Sequence, residues 1–348
     1  MYPAYLNTRV SLFRSRIKEP QWFKQQSTSS GIGIAELLES MDIDVVDGAS
    51  DLNVLHLEEI MLTTLLHEFL ILLRPLQGKH RVLLLQWIKH FELRNLKTIL
   101  RGMLRHQSIE RTKDELIDLD PLTTLPFGKL LRSDDISELL RNLDKTPYAD
   151  MARQARRLFE EHNDPFFVDA SIDQRYFKGL YSAAAGIDDV NQQPLRKLIG
   201  SIIDETNIIW LLRYRFFYQL KPAETWYLLV PGGDLISTSH LLGLVGMDNM
   251  ESVLDALPVS LASRVEDARN VFEVELRLLE HIEELMWQIL DQQKAVVART
   301  MAWLLLREKQ MYQLSALIKG RQLGLGPEML QLGMRLFSYD ETTNMAQG

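Results

Sequence analysis

With 348 residues, 46% of them hydrophobic and 25% charged, the chain can bury a substantial core in two or three domains and does not have the composition of a disordered protein. It has no cysteine, which removes disulfides, thiolate metal sites and cysteine nucleophiles and fits a reducing compartment. A net charge of −8 argues against nucleic acid or anionic lipid as the main partner, because both need a basic surface.

From the N-terminus, Tyr5, Leu6, Val10, Leu12, Phe13 and Ile17 recur among three arginines and predict an amphipathic helix over 5–17. The opening Met1-Tyr2-Pro3-Ala4-Tyr5 has neither a basic nor an apolar signal region, so no signal peptide is expected. Residues 25–33 are small and polar and read as a loop. Gly31-Ile32-Gly33 lacks the third glycine and the preceding strand of a dinucleotide loop. Residues 42–52 are acidic and turn-like. A leucine-rich helix is predicted over 54–73, ending near Pro75, and Gly78-Lys79 leads into a helix over 82–104. The same order follows twice more. Helices over 168–185 and 195–220 are closed by Gly186 and Pro222, and further helices cover 265–290 and 295–320. Each pair is a leading helix, a short turn and a second helix. The apolar runs 69–73 and 301–306 stop at Arg74-Pro75 and Arg307-Glu308, far short of the roughly 18 residues that span a bilayer. Strand-like alternation is scarce, so the predicted fold is all-α.

The second helix of each pair carries a shared skeleton. The first reads Glu92-x-x-Asn95-Leu96-x-x-Ile99-Leu100-Arg101-Gly102 and the second Asp204-x-x-Asn207-Ile208-x-x-Leu211-Leu212-Arg213. The third, weaker one reads Gln310-x-x-Gln313-Leu314-x-x-Leu317-Ile318-Lys319-Gly320. From residue 95 to 207 is 112 positions and from 207 to 313 is 106, so three copies of one unit are predicted. The acid, the Asn and the aliphatics share one broad helical face, and the terminal base and glycine suit a helix C-terminus. A buried Asn must find a partner, since a stranded amide costs about 1–3 kcal/mol. The motif reads as a polar packing pair, with a thrice-repeated ligand site as the alternative.

A second element also recurs. Leu125-Pro126-Phe127-Gly128 and Val230-Pro231-Gly232-Gly233 are each followed, after one residue, by a pair of aliphatics, and a Pro-Gly interval of this kind fixes a turn. The repeats predict three divisions: 1–135 with an N-terminal extension, 136–240, and 241–348 with a C-terminal tail.

Reactive chemistry finds little support. His67-Glu68 begins a metalloprotease pair, but the second His position holds Ile71, and the other histidines lack ligand spacing. No phosphate-binding lysine loop is present. Asp134-Asp135-Ile136-Ser137-Glu138 has a spacing that could hold Mg²⁺ against a diphosphate, yet an acidic first helical turn explains it as well. The required second acidic cluster, Asp188-Asp189, lies in a loop-like context. No catalytic residue, cofactor site or metal site is therefore predicted.

The motif helices 92–102 and 204–215, the turn 230–235 and the tail 307–328, together with the opening Tyr5-Leu6-Asn7-Thr8-Arg9-Val10, resemble the C subunit (d in eukaryotes) of V-type and A-type rotary ATPases. The resemblance implies three pseudo-equivalent helical lobes arranged as a funnel around a central cavity. It implies a non-catalytic subunit, cytoplasmic and peripheral on the membrane, with no direct lipid insertion. Its implied partners are the central shaft subunits D and F and the proteolipid c-ring, which it would couple for H⁺ or Na⁺ transport. The chain departs from the pattern at Gln310 and Gln313, where amides replace the hydrogen bonds of the acid and Asn but not the charge. The residues alone leave open a second reading, a soluble all-helical repeat scaffold that binds peptide or protein partners.

Overall fold

Helices built on the predicted apolar periodicity account for the chain in the computed structural model, which describes residues 2–28, 32–44, 54–292 and 294–335. No strand occurs among the described residues, so the fold is all-α. Gly31 and the 45–52 part of the turn-like stretch lie outside the described residues.

The long helices fall where their hydrophobic spacing put them, and capping chemistry adjusts their ends. Val54–Leu73 has the predicted bounds. Its successor, the first motif helix, runs Gly78–Leu104. Pro165–Ala185 begins earlier than predicted because Asp164 caps it, accepting from the Phe166 N–H at 2.9 Å, with Pro165 in the first turn. Val271–Leu290 begins later, at the Asn270 cap that accepts from Glu273 N–H at 2.9 Å, and Val259–Val265 is a separate short helix. The second motif helix is Gln192–Leu212, continued by a π-helical turn, Arg213–Phe217. The third is Val296–Gln322.

Two expectations change. Residues 25–28 are not loop but the end of the helix Pro20–Thr28, whose Phe23, Gln26 and Ser27 are buried. The N-terminal helix is Tyr2–Phe13, followed by a 3₁₀ turn, Arg14–Arg16, and an extended Ile17.

Two compact units form. Among the described residues, 2–81, 187–202 and 259–335 make the first, and 82–186 and 203–258 the second. In the first, Leu57 and Met61 meet Leu314, Leu317, Ile318, Leu330 and Met334, with Phe23, Leu37 and Leu38 against them. The third motif helix is buried from Val296 through Met311, including Trp303 and Arg307 at 0% exposure, so its polar groups must be matched internally. In the second unit an aromatic series links the helices. His90 lies 6.1 Å from Tyr176, Tyr176 5.0 Å from Phe177, and Phe177 5.7 Å from Trp210.

Candidate functional site

The repeated polar residues lie on the motif helices, and in the second unit the first two copies do the same work. Asn95 and the main chain of Ile117 bond reciprocally: Nδ2 donates to the Ile117 carbonyl at 2.8 Å, and the Ile117 N–H donates to Oδ1 at 2.8 Å. Asn207 grips Val230 in the same way, at 2.8 and 2.9 Å. One turn earlier, each acid gathers the next part of that loop. Glu92 accepts from the Thr124 N–H and hydroxyl, from the Leu125 N–H at 3.0 Å and from the Tyr148 hydroxyl. Asp204 accepts from the N–H groups of Asp234, Leu235 and Ile236 at 3.1, 2.7 and 3.2 Å. An amide matches both main-chain groups of one residue and a carboxyl matches a row of N–H donors, so these loops are closed without a second chain of backbone bonds.

The electrostatics of the two acids differ. Burial pushes the Asp204 carboxyl up to about 7, against the pull of its three N–H donors and with a smaller push from the Asp234 charge. Burial, aided by the Glu92 charge, holds the Tyr148 phenol well above its usual range, so it remains a donor to Glu92.

The bases and turn residues divide. Arg101 stands 3.9 Å from Asp169 on Pro165–Ala185, beside Lys97, which donates to Asp173 at 2.6 Å. Lys319 pairs with Glu58 on Val54–Leu73 at 2.6 Å. In both copies the motif helix therefore sets a cation against an acid of a leading helix. Arg213 opens the π-helical turn. Of the turn residues, Gly233 has a steric reason to be glycine, since a Cβ there would collide with Asp204 Oδ1. Gly128 has open space around it, and Pro126 caps the short helix Phe127–Leu130 while Pro231 is exposed. By their hydrogen bonds, Val230 corresponds to Ile117 rather than to Leu125, so the two Pro-Gly turns sit at different places in their loops.

The helix ends match in all three copies. His106 (φ 51°), Gln219 (φ 57°) and Gly324 (φ 67°) are left-handed, the conformation that terminates many helices. Behind the first and third, the N–H of Gln107 and of Leu325 returns to the carbonyls of Gly102 and Gly320, each at 2.9 Å. The second return, Leu220 to Tyr214 at 2.8 Å, spans one residue more, and the π-helical turn supplies it. A short helix then begins in each copy, Ile109–Asp114, Pro222–Leu228 and Pro327–Arg335. Their buried Thr112, Thr225 and Leu330 hold one register, and a Cβ on Gly102 or Gly320 would strike Thr112 or Leu330.

The third copy departs at its amides. Gln310, in the acid's position, makes a reciprocal amide pair, but with Lys18: the Lys18 N–H donates to Oε1 at 2.9 Å and Nε2 donates to the Lys18 carbonyl at 2.6 Å. Gln313 is half-buried on the same helix. One turn before Gln310, Arg307 binds Glu68 with two bonds at 2.9 and 3.0 Å, and Glu68 also accepts from Arg16 at 2.7 Å. Neither Arg307 nor Glu68 stands out in the sequence. Arg307 looks there only like the end of an apolar run, and Glu68 like a fragment of a metal motif. Tyr148, which serves Glu92 from 56 residues away, leaves no local signal.

The acidic candidates have structural partners. Asp135 caps the helix Ile136–Arg141 by accepting from Glu138 N–H at 2.7 Å, while Glu138 reaches back to accept from the N–H of Asp134, the residue before the cap, at 2.8 Å. Asp188 pairs with Lys79 at 2.6 Å and Asp189 with His80 at 2.8 Å. Among the described residues no group of three or more His, Asp and Glu could hold a metal ion. Two cavities of about 460 and 650 Å³ line the first helix end, from Arg105 to Arg132, and include neither Asp134 nor Asp135.

Comparison with known proteins points one way. Residues 6–331 match the family described as ATP synthase (C/AC39) subunit. The C subunit of the A-type ATP synthase of Thermococcus kodakarensis is 22% identical over 337 residues, 94% of this chain and 89% of the relative. That of Haloferax volcanii is 22% identical over 94% of this chain and 96% of its own length. That of Thermococcus onnurineus is 23% identical over 94% and 88%.

Proposed function

Because this chain belongs to the ATP synthase (C/AC39) subunit family, we propose that it is a non-catalytic central-stalk subunit of an A- or V-type rotary ATPase, joining the rotating shaft to the proteolipid ring. The observation that carries this reading is the family match over nearly the whole chain. On this reading the divisions 1–135, 136–240 and 241–348 are three copies of one hairpin and form the funnel that the resemblance implies. The shared helix ends at His106, Gln219 and Gly324, and the matched grips of Asn95 and Asn207, support that kinship.

A coupling part needs stiffness and two protein-binding faces rather than a reactive centre. The motif residues suit that need. They are spent on main-chain groups and on neighbouring side chains such as Tyr148 and Glu58, in close-packed surroundings that resist deformation. The shaft would enter the funnel, and the opposite end would meet the ring. The chain would then reside at the cytoplasmic face of the membrane through the ring. In keeping with this, no helix among the described residues is long and apolar enough to cross a membrane. A stable shaft interface would bury more than about 1,200 Å² in total.

Purified chain mixed with a two-helix shaft subunit and with detergent-solubilised proteolipid ring tests the proposal. Co-elution with both, without ATP hydrolysis by the chain alone, is expected. Binding to neither would overturn it.

A further inference from the structure

Along one face of the third motif helix, four side chains roughly one turn apart all bond to the N-terminal segment. Arg299 Nη1 donates to Asn7 Oδ1 at 2.5 Å and to Ser11 Oγ at 3.0 Å. Trp303 Nε1 donates to the Phe13 carbonyl at 2.9 Å and Arg307 Nη1 to the Arg16 carbonyl at 3.1 Å. Gln310 bonds to Lys18 in both directions. The residue numbers rise together, so the segment runs parallel to the helix as a ladder of four rungs.

The first two motif helices are closed differently. Each holds its own downstream loop, and in the opposite sense, with the Asn gripping the earlier loop residue and the acid, one turn back, the later ones. Downstream of the third helix, the described chain turns at Gly324 and docks its short helix at the Gly320 end. The level of Gln310 is met instead by residues 292 positions earlier. Apolar contacts attach that segment, since Leu6, Val10, Phe13 and Ile17 are buried. The rungs fix its register, and Glu68 ties Arg16 of the segment to Arg307 of the helix.

We propose that residues 7–18 are a latch: the N-terminal end of the chain closes the third motif helix where the other two are closed by their own loops. Trp303 and Arg307 are fully buried with the segment in place, and the four rungs lie on one face of one helix, so the latch opens as a unit. The segment cannot close until the helix Val296–Gln322 is in place, so the last long helix among the described residues completes a structure begun near the N-terminus. The latch is a property of the first unit and holds whether or not the chain couples a rotor.

Hydrogen exchange on the full chain tests the latch. The Lys18 amide should be protected in the wild type. Gln310→Ala, which removes acceptor and donor, should speed its exchange about tenfold or more and leave the amides of Ile117 and Val230 unchanged. Gln310→Glu keeps the acceptor and should give an intermediate rate, which keeps the test open if the alanine variant fails to fold. Unprotected Lys18 in the wild type, or a rate indifferent to both changes, overturns the proposal. In a second measurement the folded full chain is cut at a protease site inserted between Thr28 and Gly33. The freed N-terminal piece should stay bound, and Trp303→Phe with Gln310→Ala should release it about tenfold faster. Loss of the piece from the wild type, or release unaffected by those changes, contradicts the latch.

Discussion

Replacing Asn207 with leucine should destabilise the chain more than replacing Asn95, although both side chains are wholly buried and make the same reciprocal pair. The difference lies in what is stranded. Val230 is at 0% exposure, so Asn207→Leu leaves its N–H and carbonyl without partner or water. At about 1–3 kcal/mol for each stranded group, the loss is about 2–6 kcal/mol, reduced somewhat by the apolar gain of leucine. Ile117 is half-buried, so water can replace part of what Asn95 supplied and the loss falls to about 1–3 kcal/mol. Against a typical stability of about 5–15 kcal/mol the larger change is plain to see. Both residues lie in the second unit, so urea titration followed by circular dichroism compares them within one transition, at an unchanged m-value. Equal effects, or a neutral Asn207→Leu, would refute the assignment of the motif to loop closure.

Other consequences follow from the same contacts. Burial holds the Asp204 carboxyl at about 7, whereas in the unfolded chain it ionises near 4. The folded state therefore binds the extra proton between those values, and the Asp204 contribution to stability falls as pH rises from about 4 to 7. The stability of the wild type relative to Asp204→Asn should decline over that window; a flat or rising difference contradicts the assignment. Gly233→Ala forces a Cβ onto Asp204 and should cost at least about 1 kcal/mol, while Gly128→Ala meets open space in a short helix and should be neutral or slightly stabilising. Thermal midpoints of the two variants decide the matter, and similar losses at both sites would show that Gly233 has no special role.

Helix content and register were legible in the sequence because both rest on local periodicity. The leading helix Val54–Leu73 and the spacing of Asn95, Asn207 and Gln313 needed nothing but apolar residues at helical intervals. The left-handed residues at the helix ends fit that register, with the one-residue offset at Gln219 accounted for by Arg213–Phe217. That π-helical turn was invisible in advance, since it begins only at the last motif position, Arg213, and uses aromatic residues that any buried helix could carry. The latch was hidden for another reason. Its rungs join residues nearly the whole chain apart, and such pairings leave no periodic trace. Residues 25–28 misled through composition, because Gln-Gln-Ser-Thr reads as loop when its burial against the third motif helix and the C-terminal helix is not yet known. The Pro-Gly turns shared a pattern but not a position, as a four-residue punctuation can fall anywhere within a loop of the right length.

The coupling role itself is tested most directly by assembling the rotary ATPase with and without this chain and measuring ATP hydrolysis and ion transport together. With the chain present, the two activities should run in step; without it, hydrolysis by the soluble motor should continue while transport is lost. Transport that survives removal of the chain would contradict the account.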